Sequence, residues 1–489
     1  MADNINTKVK SATSWSLITE IVAKLIAPVT NMILARLLTP EAFGSVATIT
    51  MIISFADIFT DAGFQKYIVQ HNFDNERDLC FGINVAFWSN LLLSVISVLI
   101  IVFFRHPIAE LVGEPNLAAG IAVASFSIIL LSFSSIQMAV YRRRFDFKTL
   151  FFVRIVTSLM PLVVTVPLAL YFRSYWALVI GTLAMNFVQA VILTCKSTWK
   201  PSFMYSKAKF YQMFSFTAWT LLESIAIWLT SYIGTFIVGR ALNSYYLGLY
   251  KTSMSTVNAY MGIATSAIMP VLFSALSRYQ DNDSEFKETY FKFQKIVAIF
   301  LMPMGVGLFV FRNLATEILL GEKWLEASNF IGLWSLMSAL TMTFSYFSSE
   351  VYRSKGKPKI SLLSQLIHLA FLIPAIMISV TYGFRALYIS RSLIRFQGII
   401  VGLLFMHFMF GIKFQKIIQC VAPSIISAVF MGIAAELLRN ITPNIVWQFI
   451  VIAISAVLYF GLLLLFPSTR NDVLGFLKIG MSKLRLKRG

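Results

Sequence analysis

Charged side chains in the middle of long apolar runs are where this sequence departs from what a bilayer tolerates. A charge there costs several kcal/mol unless it faces protein or water, so each one marks a candidate site. The run "SWSLITEIVAKLIAPVTNMILARL" carries Glu20, Lys24 and Asn31. Spacings of four and seven place all three on one helical face, and Pro28 can bend the helix beside them. Asp57 and Asp61 stand four apart in the next run, and Glu223, Lys251, Arg391 and Arg395 interrupt later ones. The cations suit an anionic ligand, since guanidinium groups bind phosphate oxygens through charge-assisted, often bidentate hydrogen bonds. Lys24, Asn31, Lys251, Arg391 and Arg395 are therefore the expected substrate-binding set. The carboxylates Glu20, Asp57, Asp61 and Glu223 are the expected coupling or gating groups. Plainer accounts compete: Glu20 and Lys24 neutralise each other, and Asp61 and Arg154 lie close enough to run ends to snorkel.

Bond-making chemistry has no comparable footing. The phosphate-cradling pattern GxxxxGK[ST] is absent, as are HExxH and GxSxG. Cys80, Cys195 and Cys420 are scattered and fit packed helix residues rather than a disulfide or metal set. His368 and His407 fit hydrogen bonding between helices. No catalytic residue, metal or cofactor is expected, with H⁺ or Na⁺ as the coupling ion.

The elements that must hold these residues are read from composition. Of 489 residues, 58% are hydrophobic and only 13% charged, with mean hydropathy +0.76. A soluble chain carries roughly 25% charged residues. Apolar runs of about twenty residues, each long enough to cross about 30 Å of hydrocarbon as a helix, fill the sequence. They lie near 15–37, 43–65, 80–104, 117–140, 150–172, 175–196, 210–240, 246–274, 292–311, 326–350, 360–382, 384–408, 417–438 and 445–466. The expected fold class is all-α and polytopic, with about fourteen transmembrane helices. A barrel needs shorter segments of alternating polarity.

The net charge of +19 is distributed by side rather than gathered in a stripe, which argues against a nucleic-acid partner. Of 41 Lys and Arg, 28 fall in one alternate set of connectors and 8 in the other. The positive-inside bias then puts both termini in the cytoplasm. The basic tail "KLRLKRG" is expected to meet anionic lipid.

The sequence also repeats itself. "ARLLTPEAFG" at 35–44 returns as "GRALNSYYLG" at 239–248, with Arg36 and Arg240, and Gly44 and Gly248, each 204 apart. "RHPIAELVGE" (105–114) returns as "RNLATEILLGE" (312–322), and "VYRRRFDFK" (140–148) as "VYRSKGKPK" (351–359). Six spans separate equivalent positions, so the copies cross in the same direction, the parallel repeat of many transporters. The expected division is a six-helix bundle over 1–200, its repeat over 201–410, and two extra helices with a basic tail over 411–489. A cavity between the bundles is the expected seat of function. Arg36 and Arg240 either cap helix C-termini, where positive charge is favoured, or face each other across the outer mouth as gating residues.

The stretch "ILARLLTPEAFGSVATITMIISFADIFTDAGFQKYIVQ" (33–70) joins an arginine turn, a proline, Phe-Gly, Asp-x-Gly-Phe and a closing glutamine. With "GEKW" at 321–324, it resembles the polysaccharide-transporter branch of the multidrug/oligosaccharidyl-lipid/polysaccharide exporter superfamily, the Wzx-type flippases, and their colanic-acid-exporter-like subgroup. The resemblance covers essentially the whole chain. It implies a bacterial inner-membrane protein that moves undecaprenyl-pyrophosphate-linked oligosaccharide to the periplasmic leaflet by alternating access. The product pathway would be O-antigen, capsule or exopolysaccharide. It also implies a polysaccharide polymerase and chain-length machinery as partners.

Two other classes are weighed. An ion-coupled multidrug antiporter would want mainly acidic cavity residues and twelve spans. A membrane polymerase or glycosyltransferase would want a large outer loop, whereas the longest outer connector, near 312–325, is about fourteen residues.

Overall fold

The computed structural model describes residues 26–475, apart from 62, 198, 267, 269–271, 273, 274, 277, 346 and 356. Helix follows helix through the described residues, with no strand among them. Twelve helices are long and apolar enough to cross a membrane. Of the other two expected spans, 15–37 is represented by Ile26–Leu37. The segment 246–274 forms Ser244–Ser266, which has full spanning length but is diluted by serine, threonine, asparagine and Lys251.

Two helices outrun the apolar stretches that announced them. Glu76–Phe103 and Asp283–Val310 are each 28 residues long and begin in charged sequence. Asn75 accepts a hydrogen bond from the Asp78 amide, and Asn282 accepts from the Ser284 and Glu285 amides. These caps satisfy orphan N–H groups, and acidic first turns suit the positive helix end.

The sequence repeat is also a repeat of local structure. The capping asparagines and both ends of the two long helices are 207 residues apart. Each long helix runs into a short one, Arg105–Leu111 or Arg312–Leu319. Each short helix leads to a glycine with positive φ, Gly113 at 82° and Gly321 at 97°, a conformation that costs a residue with a Cβ. The basic motifs match too: Arg144 pairs with Glu76 at 3.7 Å, and Lys355 pairs with Asp283 at 2.7 Å. In the first copy, Arg143 donates to the carbonyls of Ile68 and His71, both at 2.8 Å, and lies over the Phe73 ring. It thereby ties down the helix Phe64–Gln70. Arg143→Ala should cost about 2 kcal/mol, as hydrogen bonds from a charged donor are lost. A lowered unfolding midpoint in detergent is the measurement.

Contacts sort the chain into two compact units. One is Met1–Thr252 with Ile376–Phe384, the other Ser253–Ala375 with Arg385–Gly489. In the first, Ala118–Arg143 is the hub, packing on Glu76–Phe103, Pro40–Asp61 and Tyr175–Lys196. Its buried face is rich in serine and alanine, which lets backbones approach where lipid offers no hydrophobic drive. Asn90 donates to Ser135 and Gln137 to Thr194, each at 2.8 Å, binding helices across that face. Helix Lys207–Ala241, expected in the second bundle, packs on Pro40–Asp61 and counts with the first unit.

In the second unit, Asp283–Val310 is the hub, against Ser328–Ser345 and Phe414–Arg439. Gln294 donates to the Thr343 carbonyl at 3.1 Å and Tyr459 to that of Ile299 at 2.9 Å. The "GEKW" element is a turn at Gly321 that delivers Trp324, fully buried, into this core.

Candidate functional site

The first unit encloses a cavity with a partly polar lining within its apolar core. The helix that starts at Phe147 reaches Pro161, turns through a five-residue π-helical stretch to Thr165, and resumes as Val166–Phe172. Pro161 and Pro167 each lack a backbone donor, which loosens the α-helical ladder there, and such π turns often sit at functional positions. Residues 154, 157, 158, 161 and 165 follow helical spacing. With Ile26–Leu37 and Tyr175–Lys196 they enclose a cavity of about 400 Å³. Thr30, Asn31, Arg154, Thr157, Ser158, Thr165, Thr182 and Gln189 supply its polar lining.

Most of these hydroxyls are already committed as donors. Thr157 and Ser158 donate to the Arg154 carbonyl at 3.1 and 2.7 Å, and Thr182 donates to that of Leu178 at 2.8 Å. Thr182 also lines a second cavity of about 200 Å³, which holds Asp57, Ser127 and Asn186. Asp57 accepts from the Thr60 hydroxyl at 3.1 Å. A guanidinium and a carboxylate thus line neighbouring polar cavities within one unit.

At the arginine turns, the repeat closes on itself. Gly44 and Gly248 bring the helices Pro40–Asp61 and Ser244–Ser266 together backbone to backbone. A Cβ on Gly44 would fall 1.8 Å from the Ser244 carbonyl oxygen, and one on Gly248 would fall 1.8 Å from that of Pro40. Pro40 and Ser244 are themselves 204 apart, so the crossing is symmetric in the repeat. Arg240 donates to the Leu111 carbonyl at 2.8 Å, and the Ser244 hydroxyl bonds Glu114. Arg240 therefore caps the end of Arg105–Leu111, a helix other than its own. Farther along, Trp228 donates to the Ser54 hydroxyl at 3.0 Å and packs on Phe55. Lys251 lies 4.9 Å from the Tyr232 ring centre.

In the second unit, Arg391 and Arg395 converge on one indole. Their guanidinium carbons lie 4.9 and 3.7 Å from the Trp334 ring centre, and Arg395 donates to Ser338 at 3.0 Å. Trp334 is fully buried. The sequence offers no carboxylate in the arginines' own helix; the partner it could not supply is an aromatic face on Ser328–Ser345. His368 shares a hydrogen bond with Gln397 at 2.9 Å, as expected of a histidine between helices. The same unit contains an apolar cavity of about 450 Å³ among Asp283–Val310, Phe414–Arg439 and Ile445–Leu465.

Of the expected residues, Asn31 and Asp57 line the polar cavities, Arg391 and Arg395 share Trp334, and Arg36 is exposed at its turn. Glu20 and Lys24 lie outside the described residues, as do the side chains of Asp61 and Glu223. The expected binding set left out Arg154, Thr157, Ser158, Thr182 and Gln189. The available signal was Arg154, a charge inside the apolar run 150–172.

A family model described as "Polysaccharide biosynthesis protein" matches residues 33–329. The succinoglycan biosynthesis transport protein ExoT of Rhizobium meliloti (strain 1021) is 24% identical over 352 residues, covering 71% of this chain and 70% of its own. The lipopolysaccharide biosynthesis protein WzxC of Escherichia coli (strain K12) is 22% identical over 403 residues, covering 80% and 81%. Among solved structures, the lipid II flippase MurJ in an inward closed conformation superposes with TM-score 0.73 at 14% identity. It covers 93% of this chain and 98% of MurJ, a likeness of fold. The model match takes in the arginine turn, the π-turn helix and the "GEKW" element, and by it this multi-pass membrane protein belongs to the polysaccharide biosynthesis protein family.

Proposed function

We propose that this chain is a flippase that carries an undecaprenyl-pyrophosphate-linked oligosaccharide across the bacterial inner membrane for surface polysaccharide assembly. The observation that carries the reading is the family match over residues 33–329. The MurJ-like fold and the transport role in ExoT's name support it. The cargo is amphipathic, and each of its parts has a matching chemistry in the chain. Lys24, Lys251, Arg391 and Arg395 meet the pyrophosphate, Asn31 meets sugar, and the apolar cavity of the second unit suits the polyprenyl chain. Transport proceeds by alternating access, with the arginine turns and their glycine crossing at the periplasmic end and both termini in the cytoplasm. Glu20, Asp57, Asp61 and Glu223 exchange H⁺ or Na⁺ as the driving step. The chain moves its cargo without making or breaking a bond, and hands it to a polymerase. Arg36 and Arg240 belong to the outer gate.

Mass spectrometry of lipid-linked oligosaccharides in a deletion strain tests this. Intact repeat units should accumulate on undecaprenyl pyrophosphate while surface polysaccharide falls. A deletion strain with no accumulation sinks the flippase reading.

A further inference from the structure

The polar cavity of the first unit has a lining that selects among ligands. Among the described residues, Arg154 is its one charged lining residue and no carboxylate lines it. That lining disfavours a metal ion or an organic cation. An inorganic anion fits poorly for a second reason. Thr157, Ser158 and Thr182 spend their protons on their own helix carbonyls, so what they turn outward is lone pairs. Phosphate or sulfate needs donors on every side; this cavity supplies them from Arg154, Asn31, Gln189 and Thr165.

A sugar ring reverses that mismatch, because each of its hydroxyls donates as well as accepts. Asn31 and Gln189 can do both in return, and Pro161 and Met185 offer apolar surface to the C–H face of a ring. The volume lies within the range of small-ligand sites, about 300–1,000 Å³. We infer that this cavity is a subsite for one acidic sugar, a hexuronate, with its carboxylate on Arg154 and its hydroxyls on Asn31, Thr157, Ser158, Thr182 and Gln189. This deepens the flippase reading and rests on it for the source of the sugar: the hexuronate is a residue of the carried oligosaccharide.

The test uses the purified full chain in phosphatidylcholine nanodiscs, so that no anionic headgroup competes, with saturation-transfer NMR as the readout. The probes are glucuronate, glucose and inorganic phosphate. Wild type should bind glucuronate about tenfold more tightly than glucose, the value of one charge-assisted hydrogen bond. Phosphate should not displace it. Arg154→Gln should bring glucuronate down to the level of glucose, and Arg154→Lys should keep part of the preference. The isosteric pair Thr157→Val and Thr182→Val should weaken both sugars alike. Displacement by phosphate would make this a plain anion site. Equal binding of the two sugars, no binding of either at roughly 50 mM (weaker than about −2 kcal/mol), or wild-type behaviour in Arg154→Gln would each overturn the subsite. These outcomes are separate from the deletion-strain result, which alone decides the flippase reading.

Discussion

Gly248→Val should abolish surface polysaccharide, and Gly44→Val should do the same to the same degree. Each new side chain would have to occupy space held by a carbonyl oxygen 1.8 Å from the ideal Cβ position. The obstacle is backbone, so no rotamer change relieves it, and the helices must part at their crossing. Overpacking in tight sites costs about 1–3 kcal/mol per substitution and sometimes more. Alanine at either position should therefore already lower the unfolding midpoint. Gly262→Ala on the same helix as Gly248 is the control, since nothing lies within 4 Å of its Cβ position. Polysaccharide yield and thermal unfolding at matched membrane levels are the measurements. The symmetry makes the prediction sharp: unequal losses from the two valine variants would show that the two halves do not share the crossing evenly.

The second large effect is expected at the indole. Arg391→Ala combined with Arg395→Ala should stop polysaccharide export while the protein still reaches the membrane. Each arginine contributes about 0.5–2 kcal/mol against Trp334 as a cation–π pair, so the double variant loses some stability as well as two cations. Arg391→Lys with Arg395→Lys separates the two roles. Lysine keeps the charge but lacks the planar fork that stacks on a ring and binds phosphate bidentately. Export retained by the lysine pair would assign the function to charge; export lost would assign it to guanidinium geometry. Normal polysaccharide from the alanine pair at normal expression would remove both arginines from the binding set.

The long spans and the duplication were legible because both are written in patterns that tertiary context seldom overrides. Twenty apolar residues have few places to go other than a bilayer, and three motifs at nearly constant spacing carried through to matching caps, short helices and ion pairs. The helix Ser244–Ser266 shows the limit of that reading. Its length was recoverable, while its polarity pointed to protein contacts that only the fold identifies. The partner of Arg391 and Arg395 was out of reach for a different reason, since Trp334 lies some sixty residues away on another helix. Thr157, Ser158 and Thr182 were invisible because a hydroxyl inside a span bonds its own backbone whether or not it lines a cavity. The short helices Arg105–Leu111 and Arg312–Leu319 fall between the apolar runs and are too brief to announce themselves by periodicity.

The polarity of Ser244–Ser266 also bears on how the chain is made. Charged residues are unfavourable at the centre of a helix entering the bilayer from the translocon. Helix 244–266, with Lys251 and its run of hydroxyls, is a poor candidate to insert alone. Its neighbour Lys207–Ala241 already rests on Pro40–Asp61, and Gly248 meets the backbone of that same helix. The earliest spans therefore offer the surface on which the polar helix can be received. During synthesis, Ser244–Ser266 is therefore expected to enter the membrane with the first copy's helices already in place.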